Sequence, residues 1–300
     1  MDVETLNSLY SHAGYVTFKE GPNGFPVALI TTPHATAVIT PYGAHLLSYQ
    51  FACDENNLLF LSDKAIFSKG TPIRGGVPIC WPWFGPDPQN LGRSDHGFAR
   101  TRMWSVISTD LINNQECSIT LELRDTPQTY TLWPHNFCLI LKLTVGKTLS
   151  LELTTHNLGD TTFEITQALH TYFAIGNILQ TTIIGLEGFS YSDKTNDGCE
   201  KREENALCID TETDRVYSYD GHELVLQDDA LNRNIHIACE GSKTAVVWNP
   251  WIRVCEQKAD LSPKDYKKMI CIETANTGDE IITLKPKENH TLKAIYSLKK

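Results

Sequence analysis

Phe137-Cys138-Leu139-Ile140-Leu141-Lys142-Leu143-Thr144-Val145, then Gly146-Lys147-Thr148, then Leu149-Ser150-Leu151-Glu152-Leu153-Thr154 is the stretch that decides the fold class. Leucines and a valine recur at every second position on both sides of a glycine-containing turn, while Lys142, Thr144, Ser150, Glu152 and Thr154 take most of the alternate places. A period of two is the mark of half-buried strands, so the stretch reads as a β-hairpin. Ile119, Leu121 and Leu123 alternate with Thr120, Glu122 and Arg124 in the same way. Working outward, strands are predicted over Ala37 to Phe51 (broken by Pro41 and Gly43), Thr161 to Phe173, Thr244 to Trp248, Met269 to Thr274 and Thr291 to Leu298. Helical signals are few. Ser262-Pro263-Lys264-Asp265 resembles an N-cap followed by proline at the first helical position, enough for a turn or two. Many short strands joined by turns predict an all-β, antiparallel sandwich or barrel. The chain has no repeat or linker, so residues 1–300 read as one domain, with polar Tyr191 to Thr213 as a long excursion from it.

The chain has 300 residues with 36 acidic and 26 basic side chains, a formal net charge of −10. A field of that sign argues against nucleic acid or an anionic membrane as partner, while a compact anionic ligand needs only a few placed cations. The N-terminus lacks the basic flank and apolar run of a secretory signal, and no stretch approaches membrane-spanning length; the expected address is the cytoplasm. Nine cysteines, odd in number and without a Cys-x-x-Cys pair, predict buried thiols in place of a disulfide framework or a thiolate zinc site.

Four segments carry chemistry. Ile73-Arg74-Gly75-Gly76-Val77-Pro78-Ile79-Cys80-Trp81-Pro82-Trp83-Phe84-Gly85-Pro86 is too rich in glycine and proline for regular structure. It is a shaped loop whose tryptophans either face a sugar ring or plug the sandwich, and whose Arg74 either meets a ligand or pairs with an acid. In Asp95-His96-Gly97-Phe98-Ala99-Arg100, an extended backbone would turn His96, Phe98 and Arg100 to one side, with the arginine suited to bidentate phosphate recognition or satisfied locally. His170, in Ala168-Leu169-His170-Thr171-Tyr172-Phe173, is either a hydrogen-bonded core imidazole or a proton carrier. Glu273, in Met269-Ile270-Cys271-Ile272-Glu273-Thr274-Ala275-Asn276, closes an apolar run with a carboxylate, a placement that calls for pairing or work. Upstream, Thr213-Asp214-Arg215-Val216-Tyr217 adds an acid and a base that would otherwise form an exposed ion pair.

Taken in order, Gly43-Ala44-His45-Leu46-Leu47-Ser48, Ile73 to Gly85, His96 to Arg100, Ala168 to Phe173, Thr213 to Tyr217, Trp248-Asn249-Pro250 and Cys271 to Ala275 make the chain resemble the hexose-6-phosphate mutarotases. These form the glucose-6-phosphate 1-epimerase branch of the aldose 1-epimerase superfamily. The resemblance spans nearly the whole chain. It implies a galactose-mutarotase-type β-supersandwich with few short helices, no metal and no organic cofactor. It also implies His170 as catalytic acid, Glu273 as catalytic base, Asp214 as a sugar-hydroxyl ligand, Arg74 and Arg100 on the phosphate side, and His96 as a binding residue. Asp95 stands where some members carry a substrate-touching glutamine, and Asn249 to Lys264 diverges from the family pattern, so Asp95, Trp251 and Arg253 stay outside the expected set. The implied partner is a small hexose 6-phosphate. Three other readings share these residues: an epimerase of unphosphorylated sugar, a glycosidase using Asp214 and Glu273 as its carboxylate pair, and a non-catalytic sugar-binding sandwich.

Overall fold

The computed structural model describes residues 1 to 220 and 223 to 299. The leucine-rich stretch is a hairpin of two strands, Phe137–Val145 and Leu149–Asn157, paired from Val145 opposite Leu149 to Phe137 opposite Asn157. Its alternation has the expected cause: Leu139, Leu141, Leu143, Leu149, Leu151 and Leu153 are all buried, while Lys142 is exposed. The hairpin lies inside a nine-stranded antiparallel sheet, between Asn289–Lys299 on one side and Glu116–Arg124 then Ser105–Asn113 on the other.

A second, eight-stranded antiparallel sheet carries the chemistry. In chain order its strands are β1 (Ile79–Cys80), β2 (Gln167–Leu169), β3 (Tyr172–Ala174), β4 (Ser190–Asp193), β5 (Cys199–Arg202), β6 (Thr213–Ser218), β7 (Thr244–Asn249) and β8 (Met269–Asn276). Their spatial order is β5-β4-β6-β7-β8-β2-β1, with β3 also pairing β8. Ile270, Ile272, Val247 and Phe173 of this sheet share one continuous buried core with the leucine hairpin. Between the sheets, the Phe173 and Tyr296 rings meet edge to face at 5.3 Å, and the Thr171 and Tyr296 hydroxyls lie 2.7 Å apart. A four-stranded antiparallel sheet over Val16–Thr31 and Ala35–Phe51 completes the large elements. Helices are confined to α1 (Val3–Tyr10), α2 (Pro127–Leu132) and α3 (Trp251–Gln257) plus single 3₁₀ turns. The architecture is the predicted all-β antiparallel sandwich with few short helices.

Three local expectations are corrected. The segment from Tyr191 to Thr213 is no excursion: β4 and β5 form a hairpin that extends the sheet to its edge. Ser262-Pro263 opens no α-helix; a single 3₁₀ turn covers Asp265–Lys267, and the cap runs backwards, the Ser262 N–H donating to the Asp265 carboxylate at 2.7 Å. Thr161 to Phe173 divides into Phe163–Ile165, β2 and β3, because the chain kinks at Thr166 and again at His170-Thr171.

The burial pattern sets an expected contrast in stability. Leu141→Ala should cost about 2–5 kcal/mol, the usual range for truncating a buried leucine, and Lys142→Ala should stay within about 0.5 kcal/mol. Urea unfolding of both variants checks this, and similar losses for the two would contradict the assigned faces.

Candidate active site

Glu273 is one of eight consecutive buried residues of β8, so its placement is decided by register and not by local polarity. Thr274 pairs with Leu169 and Cys271 with Tyr172. The two intervening residues of each strand therefore meet in the same register, and His170 lies opposite Glu273. On the other flank Glu273 pairs with Val246, and Val246 with Val216. One row along, Cys271 pairs with Trp248 and Trp248 with Asp214. Side chains two apart share a face, so Asp214, Val216, Val246, Trp248, Glu273 and His170 form one patch.

That patch floors a cavity of about 1110 Å³, which Arg74, Phe84, Asp95, His96 and Arg100 also line. All six residues singled out from the sequence, Arg74, His96, Arg100, His170, Asp214 and Glu273, come together here. His170 Nδ1 is 3.4 Å from Glu273 Oε1. Both side chains are almost wholly buried, and neither His170 Nδ1 nor Glu273 Oε2 has a hydrogen-bond partner. The imidazole stacks on the Tyr172 ring at 4.8 Å and meets the Trp248 ring edge-on. With Nδ1 turned to Glu273, Nε2 is left to the cavity.

Burial governs the protonation of this pair. It pushes Glu273 well above the usual carboxylate range, with Asp214 adding to the rise and Arg100 opposing it. It pushes His170 well below the ordinary imidazole value, reinforced by His96, Arg100 and Arg74. The ligand-free pair is therefore favoured as a carboxylic acid facing a neutral imidazole, and one proton moved across the 3.4 Å gap would make it carboxylate and imidazolium. Asp214, half-buried, is also raised by desolvation, against the pull of Lys194.

The cationic groups arrive on loops. Arg74 leads into Gly75 and Gly76; its Nε donates to Asp260 at 3.0 Å and an Nη to the Tyr172 hydroxyl at 3.0 Å. Arg74 thus pairs with an acid and at the same time lines the cavity. Arg100 lies in a 3₁₀ turn, Ala99–Thr101, and donates to the Asp95 backbone carbonyl at 2.8 Å. Among the described residues no carboxylate forms an ion pair with it.

His96 reaches the cavity by a route the sequence did not suggest. Its backbone is left-handed (φ 62°), as is that of Gly97 (φ 70°), so His96, Phe98 and Arg100 do not project from an extended strand. A Cβ on Gly97 would sit 2.0 Å from the Trp81 carbonyl oxygen, which is why glycine occupies that turn. The Gly85 N–H donates to His96 Nδ1 at 3.2 Å, which assigns the ring proton to Nε2. Burial, with Arg100 and Arg74 nearby, pushes His96 down to about 3, so near neutral pH the ring is neutral.

Trp81 and Trp83 resolve to the core reading. Trp81 packs among Phe98, Trp133 and Phe137 and donates to the Thr155 hydroxyl at 3.0 Å. Trp83 donates to the Ser94 carbonyl beneath the Arg93 guanidinium. The aromatic face in the cavity belongs to Trp248, with Phe84 beside it. Alternation along Thr244 to Trp248 carried that signal, because positions 244, 246 and 248 share a side. Lys194, Lys243 and Lys258 at the cavity wall had no sequence signal beyond their charge. Arg215 pairs with Glu203 at 2.7 Å and packs over Tyr191. Among the described residues no group of three or more His, Cys, Asp or Glu side chains is arranged to hold a metal ion, and no helix is long and apolar enough to cross a membrane.

The chain is thus a large antiparallel sandwich with a cavity over one sheet, floored by a carboxylate, an imidazole and an aromatic ring. The family model described as aldose 1-epimerase matches residues 26–297, and the chain belongs to that family. A relative from Escherichia coli (strain K12), named "Putative glucose-6-phosphate 1-epimerase", is 38% identical over 277 residues, covering 91% of this chain and 90% of its own length. A crystal structure of a Salmonella typhimurium protein described as a "putative mutarotase" superposes with a TM-score of 0.90 at 30% identity, covering 99% of each chain. A galactose mutarotase-like protein from Clostridium acetobutylicum, 14% identical, superposes at 0.77 over 95% of this chain and 98% of its own. At that identity it speaks for the fold alone, which is the galactose-mutarotase type.

The protonation argument has a measurable consequence. Glu273 keeps its proton in the folded state well above pH 4.5, where the unfolded chain has already lost it, so folding loses stability as pH rises from about 4.5. Glu273→Gln has no proton to keep. Its stability relative to wild type should rise as pH increases from about 4.5. Thermal unfolding of both proteins from that pH upward is the check; a flat or falling difference would mean that Glu273 ionises in the folded cavity.

Proposed function

We propose that the protein interconverts the α and β anomers of D-hexose 6-phosphates without a cofactor, as a glucose-6-phosphate 1-epimerase. The observation that carries this reading is the buried Glu273–His170 pair, 3.4 Å apart on the floor of a cavity that also gathers Arg74 and Arg100. Membership of the aldose 1-epimerase family and the printed name of the Escherichia coli relative support it.

Anomerisation needs one proton removed from the O1 hydroxyl and one delivered to the ring oxygen, after which the aldehyde turns about C1–C2 and recloses. In its carboxylate and imidazolium form the pair supplies both: Glu273 takes the O1 proton and His170 Nε2 donates to O5. The product of that exchange is a protonated Glu273 and a neutral His170, the distribution that burial favours. Reclosure on the other carbonyl face runs the transfers backwards. Each transfer is worth typically 10²- to 10⁴-fold. His96, with its proton on Nε2, and Asp214 present a donor and an acceptor to the sugar hydroxyls. Arg74 and Arg100 meet the phosphate, whose attraction orients the ring over the pair.

Anomer-exchange NMR on free and 6-phosphorylated hexoses tests reaction and substrate together. Glu273→Gln should lower catalysed exchange by at least about 10²-fold and leave glucose 6-phosphate binding within a few-fold; an undiminished rate would remove Glu273 from the chemistry. Arg74→Gln or Arg100→Gln should weaken glucose 6-phosphate by roughly tenfold or more and leave free glucose little changed. Equal losses on both sugars would leave the phosphate without a reader and favour an epimerase of unphosphorylated sugar. Hydrolysis of a glycoside by the wild type would point instead to Asp214 and Glu273 as a glycosidase pair.

A further inference from the structure

His45 lies outside the cavity lining, yet it touches the loop that carries Arg74. Its side chain is wholly buried, and its Nε2 is 2.7 Å from the Gly75 carbonyl oxygen, the residue next to Arg74. A carbonyl only accepts, so Nε2 carries the ring proton and donates. That leaves Nδ1 as a buried acceptor, and among the described residues it has no hydrogen-bond partner. Burial pushes the imidazole down to about 4, consistent with a single proton on the ring. A buried polar atom left unpaired lowers stability, and an apolar side chain of similar size would avoid it. The imidazole is kept despite that cost.

The corner that carries His45 explains what is gained. Strand Ala35–Thr40 ends and His45–Phe51 begins across Gly43 and Ala44, both with left-handed backbone (φ 72° and 45°). The Gly43 N–H donates to the Arg102 carbonyl at 2.7 Å, and a Cβ on Gly43 would lie 2.6 Å from the Arg100 carbonyl oxygen. On the other side, a Cβ on Gly76 would lie 2.2 Å from the Leu46 carbonyl oxygen and 2.7 Å from His45 Nε2. The Val77 N–H closes the contact by donating to the Leu46 carbonyl at 2.9 Å. One short corner thus presses on the Arg100 turn through Gly43 and grips the Arg74 loop through His45, with no room for a side chain at either contact.

We propose that His45 is a positioning residue for phosphate recognition: holding the Gly75 carbonyl, it sets the spacing of the Arg74 and Arg100 loops across the Gly43–His45 corner. This rests on the reading that those arginines meet a sugar phosphate. The spacing matters because a dianion bridged by two guanidiniums binds best at one separation, whereas a neutral sugar is indifferent to it.

His45→Phe removes the donor at similar bulk, and His45→Gln restores a donor in the form of an amide N–H. Rates of anomer exchange for glucose 6-phosphate and for glucose, with unfolding temperatures, are measured for both variants and the wild type. His45→Phe is expected to raise KM for glucose 6-phosphate by roughly tenfold, the upper range for one hydrogen bond, with kcat within about twofold and glucose unaffected. His45→Gln is expected to recover most of the KM. Losses that fall equally on both sugars, that fall on kcat, or that Gln does not repair would overturn the positioning role on a wild type that prefers the phosphate. Equal kcat/KM for the two sugars in the wild type would overturn the phosphate reading itself, and this one with it. His45→Met, also without a donor, carries the same comparison if His45→Phe does not fold.

Discussion

Everything at the site depends on the register of one buried strand. All of Met269–Asn276 is buried, on the cavity side as well as the sandwich side, so hydrophobic patterning alone cannot say which residues face which way. A slip of one position would turn Glu273 into the sandwich core and Ile272 into the cavity. Polar side chains at both ends prevent it. At the C-terminal end Asn276 accepts from Gln167, its register partner, at 2.9 Å and donates to the Gly241 carbonyl at 2.8 Å. At the N-terminal end Asn249 donates to the Tyr266 and Met269 carbonyls, both at 2.9 Å. Buried amides with fixed partners specify an alignment that apolar residues would leave free.

The two arginines differ in how they are held, and the difference bears on what each can do. Arg74 is clamped by a carboxylate and a phenol, which holds its guanidinium in place and compensates part of its charge. Arg100 spends one N–H on a backbone carbonyl and keeps its full charge. Both reach His170 and His96 electrostatically, as the depressed values of these imidazoles record. On the proposed function an anion arriving between them would relieve that pressure, so ligand charge and the protonation of the Glu273–His170 pair would be coupled through the same two side chains. A net charge of −10 gave no hint of this, because a total says nothing about where single cations stand.

How much of this was legible in the sequence depended on whether the signal was local. The leucine hairpin was read correctly because one face is buried and the other is wetted, which imposes a period of two. Met269–Asn276 and the kinked Gln167–Ala174 run gave strands without faces, since burial on both sides erases the alternation. Nothing local brings Asp214 beside Trp248 and both into the same patch as Glu273, because the order β6-β7-β8-β2 joins strands far apart in the chain. The six candidate residues came from residue type and the family resemblance; strand order brings Asp214, His170 and Glu273 together, and loops bring Arg74, His96 and Arg100 to the same cavity. Where a purely local rule was applied to His96, Phe98 and Arg100 it failed: Gly97 turns the backbone left-handed and breaks the parity on which the projection relied. The tryptophans leave two readings open for a related reason, since loop residues dense in glycine and proline fold back into the core as readily as they face a ligand.

The cysteines complete the chemical logic of the cavity. On the proposed function a ring-opened sugar would expose an aldehyde, which a thiolate beside it would capture before it could turn and reclose. Cys271 lies two residues from Glu273 on the same face of β8, and Cys80 is close enough to be influenced by Glu273. Burial pushes Cys80 up to about 12 and Cys271 well above the ordinary thiol value, with the neighbouring carboxyl adding to both. The thiols therefore stay protonated and behave as small apolar groups. The same desolvation that keeps the proton on Glu273 keeps these nucleophiles silent. A closely packed sheet face thus keeps the proton on Glu273 and on these thiols alike.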